Sequence, residues 1–162
     1  MQEKILKLNF TVAHLSELET KDQELIANAK EAFTTAYAPY SGFLVGASVL
    51  LDNGEIVSGS NQENVAYPSG LCAERVALFY AGARYPDIKV KTIAVSVLSK
   101  NFEVNDVISP CGACRQVMAE YEEKQEEAIK VILHSPTDEV LIANTVEDLL
   151  PFMFKSPLLK KH

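Results

Sequence analysis

The sequence predicts an α/β domain, and three observations lead there. Runs rich in apolar and β-branched residues alternate with runs of helical period along most of the chain. The turn-forming residues Pro39, Gly42, Asn53-Gly54, Pro68, Gly70 and Pro136 fall between those runs rather than inside them. A length of 162 residues with 48% hydrophobic content provides for one sizeable core, while a second would be hard to accommodate.

Leu6 to Val12 alternates apolar and polar side chains, the period of a half-buried strand, and reads as an added edge strand within an N-terminal extension of residues 1–18. Thr20 and Gln23 have the spacing of a capping box, and Leu25, Ile26, Ala29, Ala32, Phe33 and Ala36 recur at helical spacing until Pro39, which predicts a first helix over residues 21–37. Phe43–Leu51 and Glu55–Gly59, joined through Asn53-Gly54, read as a β-hairpin. Asn61-Gln62-Glu63-Asn64 follows, a polar loop at a strand end, where ligand contacts commonly lie. Beyond the break at Pro68 to Gly70, residues 73–83 read as a buried helix opened by Cys72. Ile88–Leu98 is a further strand, and Ser109-Pro110 supplies an N-cap candidate and a first-turn proline for a helix that begins at Cys111 and ends in the charged run 122–127. Residues 129–134 and 139–143 read as two last strands about the turn 135–138, followed by a short helix near 145–150 and a packed aromatic terminus, Pro151 to Phe154.

The balance of 15 basic against 22 acidic residues argues against a general nucleic-acid-binding surface, so a small ligand is expected. No charged-then-apolar leader and no long apolar run is present, which predicts a soluble cytoplasmic protein with no membrane partner. An odd cysteine count disfavours a disulfide scaffold.

All three cysteines lie at two helix starts, in Cys72-Ala73-Glu74-Arg75 and Pro110-Cys111-Gly112-Ala113-Cys114-Arg115-Gln116. Cys111 and Cys114, three apart, face the same side of a helical turn. Cys72 and Glu74 are two apart and would diverge in mid-helix, so their joint use requires a metal beyond the helix end. Two helix N-termini converging on one ion would meet that requirement and would stabilise thiolates. Three protein ligands and a carboxylate match a catalytic zinc, which keeps one position open, rather than a closed four-ligand structural site. Arg75 and Arg115 are candidates for hydrogen bonds to sulfur that offset the negative charge of three thiolates. Other readings of the same residues are a redox pair at Cys111 and Cys114, which leaves Cys72 and Glu74 without a role, a structural zinc closed by His14 or His134, and buried structural thiols. Neither histidine stands in a ligand-spaced motif, and surface or loop roles are expected for both and for His162.

These segments resemble the zinc nucleoside deaminases, and most closely the small cytidine deaminases that use three cysteines, over about residues 37–154. Tyr40 to Ala47 is similar to that family's segment before its first strand. Asn61 to Asn64 is similar to its ribose-binding stretch, with Gln62 in place of a more usual valine. The resemblance implies a three-layer α/β/α sandwich with a mixed five-stranded sheet in a deaminase domain of residues 19–162. It implies one Zn²⁺ per subunit on Cys72, Cys111 and Cys114, with Glu74 carrying protons while activated water attacks C4 of the base. It further implies contacts of Asn61 and Glu63 with the ribose, of Phe43 with the pyrimidine, and of the Ala73 backbone with the base. The implied activity is deamination of cytidine and deoxycytidine in pyrimidine salvage. The implied assembly is a homotetramer with shared active sites, in which Tyr67 and Phe154 lie near a neighbour's pocket. Another aminopyrimidine nucleoside as substrate, or a zinc-stabilised binding module without catalysis, are the alternatives.

Overall fold

The computed structural model describes residues 1–155. Ten elements follow in order: β1 (Phe10–His14), α1 (Thr20–Ala32), β2 (Phe43–Leu51), β3 (Ile56–Ser60), α2 (Ala73–Arg84), β4 (Val90–Ser99), α3 (Gly112–Gln125), β5 (Lys130–His134), β6 (Glu139–Ala143) and α4 (Val146–Leu149). Short 3-10 turns intervene at Leu15–Glu17, Phe33–Thr35 and Tyr67–Ser69. One mixed sheet runs β1-β6-β5-β4-β2-β3. Only β4 and β5 pair in parallel, and α3 makes the crossover between them that a parallel pair requires. The five expected core strands and the added edge strand are all present.

Strands β4 and β5 are buried on both faces, which is why they read as nearly continuous apolar runs instead of alternating. On one face α1 lays Leu25, Ile26 and Ala29 against Ala94, Ile132, Val140 and Ile142. On the other, Ala77 and Leu78 of α2, Met118 of α3 and Val146 of α4 pack on Val49, Ile93, Val95, Val131 and Leu133. The helices therefore sandwich the sheet in three layers. Two glycines set how closely they approach. A Cβ on Gly46 of β2 would fall 1.9 Å from the Ala29 carbonyl oxygen of α1, and one on Gly59 of β3 would fall 2.7 Å from the Ala77 nitrogen of α2. These positions face opposite layers, so each lets one helix lie directly on the sheet.

Four expectations are corrected. The edge strand pairs over Phe10–His14 rather than residues 6–12, because its ladder to β6 starts at Phe10↔Ala143 and residues 1–9 have no strand partner. Helix α1 is capped at Glu19 with no side-chain cap bond, so the expected capping box at Thr20 does not form, and Gln23 instead donates to the Leu18 carbonyl at 2.8 Å. α1 also ends at Ala32, with a separate 3-10 turn over Phe33–Thr35. The aromatic terminus is not packed: Phe152 and Phe154 are 79% and 73% exposed, and the segment is tied down by backbone bonds of Phe154 to the Gln116 side chain at 2.8 and 3.0 Å.

His134 is buried on the α1 face, where its ring nitrogens meet Ser96 Oγ and Asp138 Oδ1, each at 3.0 Å, with Lys30 Nζ 3.7 Å from that carboxylate. Burial holds its pKa below the ordinary 6.5 despite the neighbouring Asp138. The unfolded chain therefore takes up a proton that the folded chain resists, and stability falls as the pH drops below the ordinary histidine value. Replacement of His134 by Gln is expected to flatten the dependence of the thermal midpoint on pH between about pH 7 and 5. Equal slopes in wild type and variant would show that His134 does not set this dependence.

Candidate active site and metal centre

Helices α2 and α3 begin at Cys72 and Cys111, which occupy the two N-cap positions. Neither thiol caps its own helix, so both are free to point at a common centre. The helix of Cys111 and Cys114 starts at Gly112, so its cap is Cys111 itself and not the expected Ser109. Cys114 follows one turn on, fully buried. The Sγ atoms of Cys72 and Cys111 are 3.8 Å apart, those of Cys111 and Cys114 3.4 Å, and all three lie within 4.8 Å of one another. Four sulfurs or oxygens around zinc at a Zn–S distance of about 2.3 Å define tetrahedral edges of about 3.8 Å. The spacing and softness of the three donors thus fit zinc, with one position left for a non-protein ligand.

The electrostatics of the triad are uneven. A hydrogen bond from the Cys114 thiol, joined by others from Arg75 and Cys111, overcomes burial and brings the Cys72 thiol down to about 5. The same coupling to Cys72, together with burial, pushes Cys114 up. Three thiols converging in this way give up their protons when a metal binds them. Arg75 Nη2 donates to Cys72 Sγ at 3.7 Å and to the Gly70 carbonyl at 3.4 Å, and its buried Nε has no hydrogen-bond partner among the described residues. Arg115, the other expected sulfur partner, is engaged elsewhere. Its Nε donates to the Pro110 carbonyl at 2.7 Å and its Nη1 to the Leu149 carbonyl at 3.0 Å, so it ties the start of α3 to the end of α4.

Glu74 sits in the first turn of α2 with only 4% of its surface exposed. Burial raises its carboxyl pKa, and the Cys72 thiolate adds to that. It lines a cavity of about 620 Å³ together with Phe43, Asn61, Glu63, Tyr67, Cys72 and Cys111. A buried carboxyl, a thiol cluster and an opening of this size on one wall can bind a small ligand and exchange protons with it. Ala73 is fully buried at the start of the same turn.

The loop 61–64 is joined to the metal helix by its backbone. Gln62 and Leu71 exchange amide bonds at 2.8 and 2.9 Å, and on the other side Tyr37 bonds Asn61 and Glu63 at 3.0 and 2.8 Å. The Asn61 side chain is buried and locked to β2, accepting from the Val45 amide at 2.8 Å and donating to the Phe43 carbonyl at 2.9 Å. Each end of that amide keeps one further hydrogen-bonding position. Glu63 gathers the turn before β2, accepting from Ser41 Oγ at 2.5 Å and from the Tyr40 and Ser41 amides at 2.9 and 3.3 Å. Burial alone would raise its pKa, but these three donors together hold it below the usual carboxylate value. Phe154 does not line the cavity of its own chain. His14 and His134 stand apart from the thiols: His14 accepts from Ser16 in the turn after β1, and His134 is committed to Ser96 and Asp138. Ser41, Ile108 and Ser109 also line the cavity and carried no chemical signal of their own.

Comparison with known proteins agrees with this geometry. The family described as the cytidine and deoxycytidylate deaminase zinc-binding region matches residues 19–128. A cytidine deaminase of Halalkalibacterium halodurans is 39% identical over 132 residues, covering 82% of this chain and 92% of its own length. A cytidine deaminase of Sporosarcina psychrophila is 45% identical over 102 residues, 61% of this chain and 68% of that protein. Among solved structures, the cytidine deaminase from Burkholderia pseudomallei superposes with a TM-score of 0.69 at 40% identity, covering 81% of this chain and 97% of that one. That from Mycobacterium tuberculosis gives 0.66 at 31% identity, covering 85% and 100%. With its three convergent thiols, its buried carboxyl and similarity over most of its length, the chain belongs to the cytidine and deoxycytidylate deaminase zinc-binding family.

Proposed function

We propose that the protein deaminates cytidine and deoxycytidine by hydrolysis, yielding uridine or deoxyuridine and ammonia, with Zn²⁺ as its cofactor. The observation that carries this reading is the buried Glu74 carboxyl set beside three convergent thiols, two of which, Cys72 and Cys111, share the wall of one cavity with it. Held by Cys72, Cys111 and Cys114, zinc supplies a water whose pKa is lowered to about 7. With zinc so held, Glu74 would accept one proton of the attacking water and place it on N3 of the pyrimidine as the oxygen bonds to C4. It would then take the remaining hydroxyl proton from the oxygen on C4 and pass it to the amino nitrogen, which leaves with the C–N bonding pair as ammonia while the C4–O bond becomes a carbonyl. A carboxyl raised by burial is suited to both directions of transfer. Arg75, beside Cys72, offsets part of the negative charge of the thiolates.

Phe43 packs against the pyrimidine and the Ala73 backbone contacts the base at the start of α2. Asn61 and Glu63 hold the 3′-hydroxyl side of the ribose through the hydrogen-bonding positions their own contacts leave free. A site that reads the 3′ side admits ribose and deoxyribose alike. The role is pyrimidine salvage in the cytoplasm, a setting that suits three free thiols. Among the described residues no helix is long and apolar enough to cross a membrane. The functional assembly is a homotetramer in which Tyr67 and Phe154, both strongly exposed in the single chain, complete neighbouring sites. The deaminase domain begins at residue 19, the part of it expected at 156–162 lying outside the described residues, and residues 1–18 are an extension that adds β1 to its sheet.

The charge lining the cavity separates the nucleoside from its monophosphate. Its lining carries the carboxyls of Glu63 and Glu74 and one cation, Arg75, whose guanidinium is engaged with Cys72 and Gly70. Among the described residues, a 5′-phosphate finds no cation in the lining other than Arg75. Loss of the cytidine absorbance band is therefore expected on adding the zinc-loaded protein, with kcat/KM for CMP lower by about 10²-fold or more, and lower also for free cytosine, which leaves the ribose contacts unmade. Turnover of none of the three would overturn the proposal, and preference for CMP would move it to the nucleotide.

A further inference from the structure

Phe43 is held by residues that lie outside the cavity. The turn before it, residues 40–42, is anchored from the far end of β4. The Asn101 Nδ2 donates to the Ser41 carbonyl at 2.8 Å, and the Lys100 amide donates to the Gly42 carbonyl at 3.0 Å. The fit at Gly42 is close: its φ of +66° favours glycine, and a Cβ there would fall 2.4 Å from Asn101 Nδ2 and displace the amide that anchors the turn. One residue on, the Phe102 ring lies nearly parallel to that of Phe43, with planes 7° apart and centroids separated by 6.0 Å. Phe43 lines the cavity, whereas Phe102 does not and is 57% exposed. Ser99 Oγ accepts from the Asn101 and Phe102 amides, both at 3.2 Å, which fixes the bend that presents the two side chains.

We propose that Asn101 and Phe102 are positioning residues for substrate binding, a two-point brace that fixes the turn at Ser41-Gly42 and the ring plane of Phe43 from the side opposite the ligand. The proposal rests on the cytosine nucleoside reading of the site. An aromatic ring held by one neighbour only can tilt about χ1 and χ2, whereas a parallel partner confines it to the plane against which a flat base packs. A large exposed aromatic at the start of a loop without regular structure has no core to serve. Among the described residues its one aromatic contact is with a ring of the substrate wall. The brace acts on the ligand through Phe43 and leaves the zinc ligands and Glu74 untouched, so it bears on affinity rather than on proton transfer.

The test compares Phe102→Ala, Phe102→Tyr and Asn101→Ala with wild type in zinc content, thermal midpoint, kcat and KM for cytidine, and in calorimetric affinity for uridine, which requires no turnover. Phe102→Ala is expected to raise KM and the uridine Kd together by about 2- to 10-fold, the range one aromatic pair supports, with kcat within about 2-fold and zinc unchanged. Asn101→Ala is expected to move in the same direction, and Phe102→Tyr, which retains the ring, to behave as wild type. Unchanged KM and Kd in Phe102→Ala, an equal loss in Phe102→Tyr, or a loss that appears in kcat and follows zinc content would each overturn the brace. A wild-type protein that neither turns over cytidine nor binds uridine would instead refute the nucleoside reading itself, before any variant is compared.

Discussion

Replacing Glu74 with Gln is expected to abolish measurable turnover of cytidine while leaving zinc and fold in place. Gln has the shape of Glu and can still accept a hydrogen bond, but it cannot take a proton from water or return one to the leaving nitrogen. Positioned acid-base help of this kind contributes about 10² to 10⁴ in rate, and here one side chain serves more than one transfer, so a loss at the upper end is expected. Stability should change little. The first turn of α2 loses an acidic side chain that favours its N-terminus, worth about 0.3–1 kcal/mol, and the buried site loses the repulsion between that carboxylate and the Cys72 thiolate. These two effects oppose each other. The check is kcat by absorbance beside zinc stoichiometry and the thermal midpoint. A variant that retains zinc and turns over cytidine within about 10-fold of wild type would remove Glu74 from the proton path.

Much of the site was legible in the sequence because its parts are local. Cys72, Glu74, Cys111 and Cys114 fall at helix starts that proline and glycine mark, and a helix start is where a thiol can leave its own helix and meet another. The Asn53-Gly54 hairpin was equally plain, since Gly54 takes φ +85° in the turn between β2 and β3. What escaped depends on partners far along the chain. Arg115 stands beside a zinc ligand in sequence, yet its guanidinium reaches the Leu149 carbonyl, 34 residues away. The alternation from Leu6 to Val12 marks one face of an extended segment, but its pairing with β6 begins only at Phe10, while the Asn9 amide is drawn to Asp148 Oδ1 at 3.0 Å. The buried pair Ser96 and His134, with the half-exposed Asp138 beyond it, left a fainter trace, a polar residue inside the apolar run of β4 and one at the end of that of β5. Asn101 and Phe102 left none, since a polar residue and an aromatic after a strand are indistinguishable from an ordinary loop until the Ser41-Gly42 turn is folded against them.

Gly46→Ala is expected to destabilise the domain more than any other single methyl added at a described glycine. The new Cβ would stand 1.9 Å from the Ala29 carbonyl oxygen, 2.8 Å from the Phe33 nitrogen and 3.0 Å from the Ala29 carbonyl carbon, all of them backbone. No rotamer change relieves such a clash, so α1 must rise off β2 and withdraw Leu25, Ile26 and Ala29 from the face they fill. Overpacking of a tight core costs about 1–3 kcal/mol, and contact with backbone rather than flexible side chains places this substitution at or above the top of that range. Gly54→Ala is the matched control. A Cβ there meets nothing within 4 Å, so it pays only the left-handed backbone strain at φ +85°, about 1–2 kcal/mol. Urea denaturation of the two variants separates the mechanisms. Gly46→Ala should move the midpoint further than Gly54→Ala, and combining it with Ala29→Gly, which frees the α1 backbone to shift, should not restore it, because the clash is with the Ala29 carbonyl and not its methyl. A Gly46→Ala midpoint equal to that of wild type would mean that α1 does not lie on β2 at this distance, and the layer spacing that carries β2 and Phe43 to the cavity would have to be drawn differently.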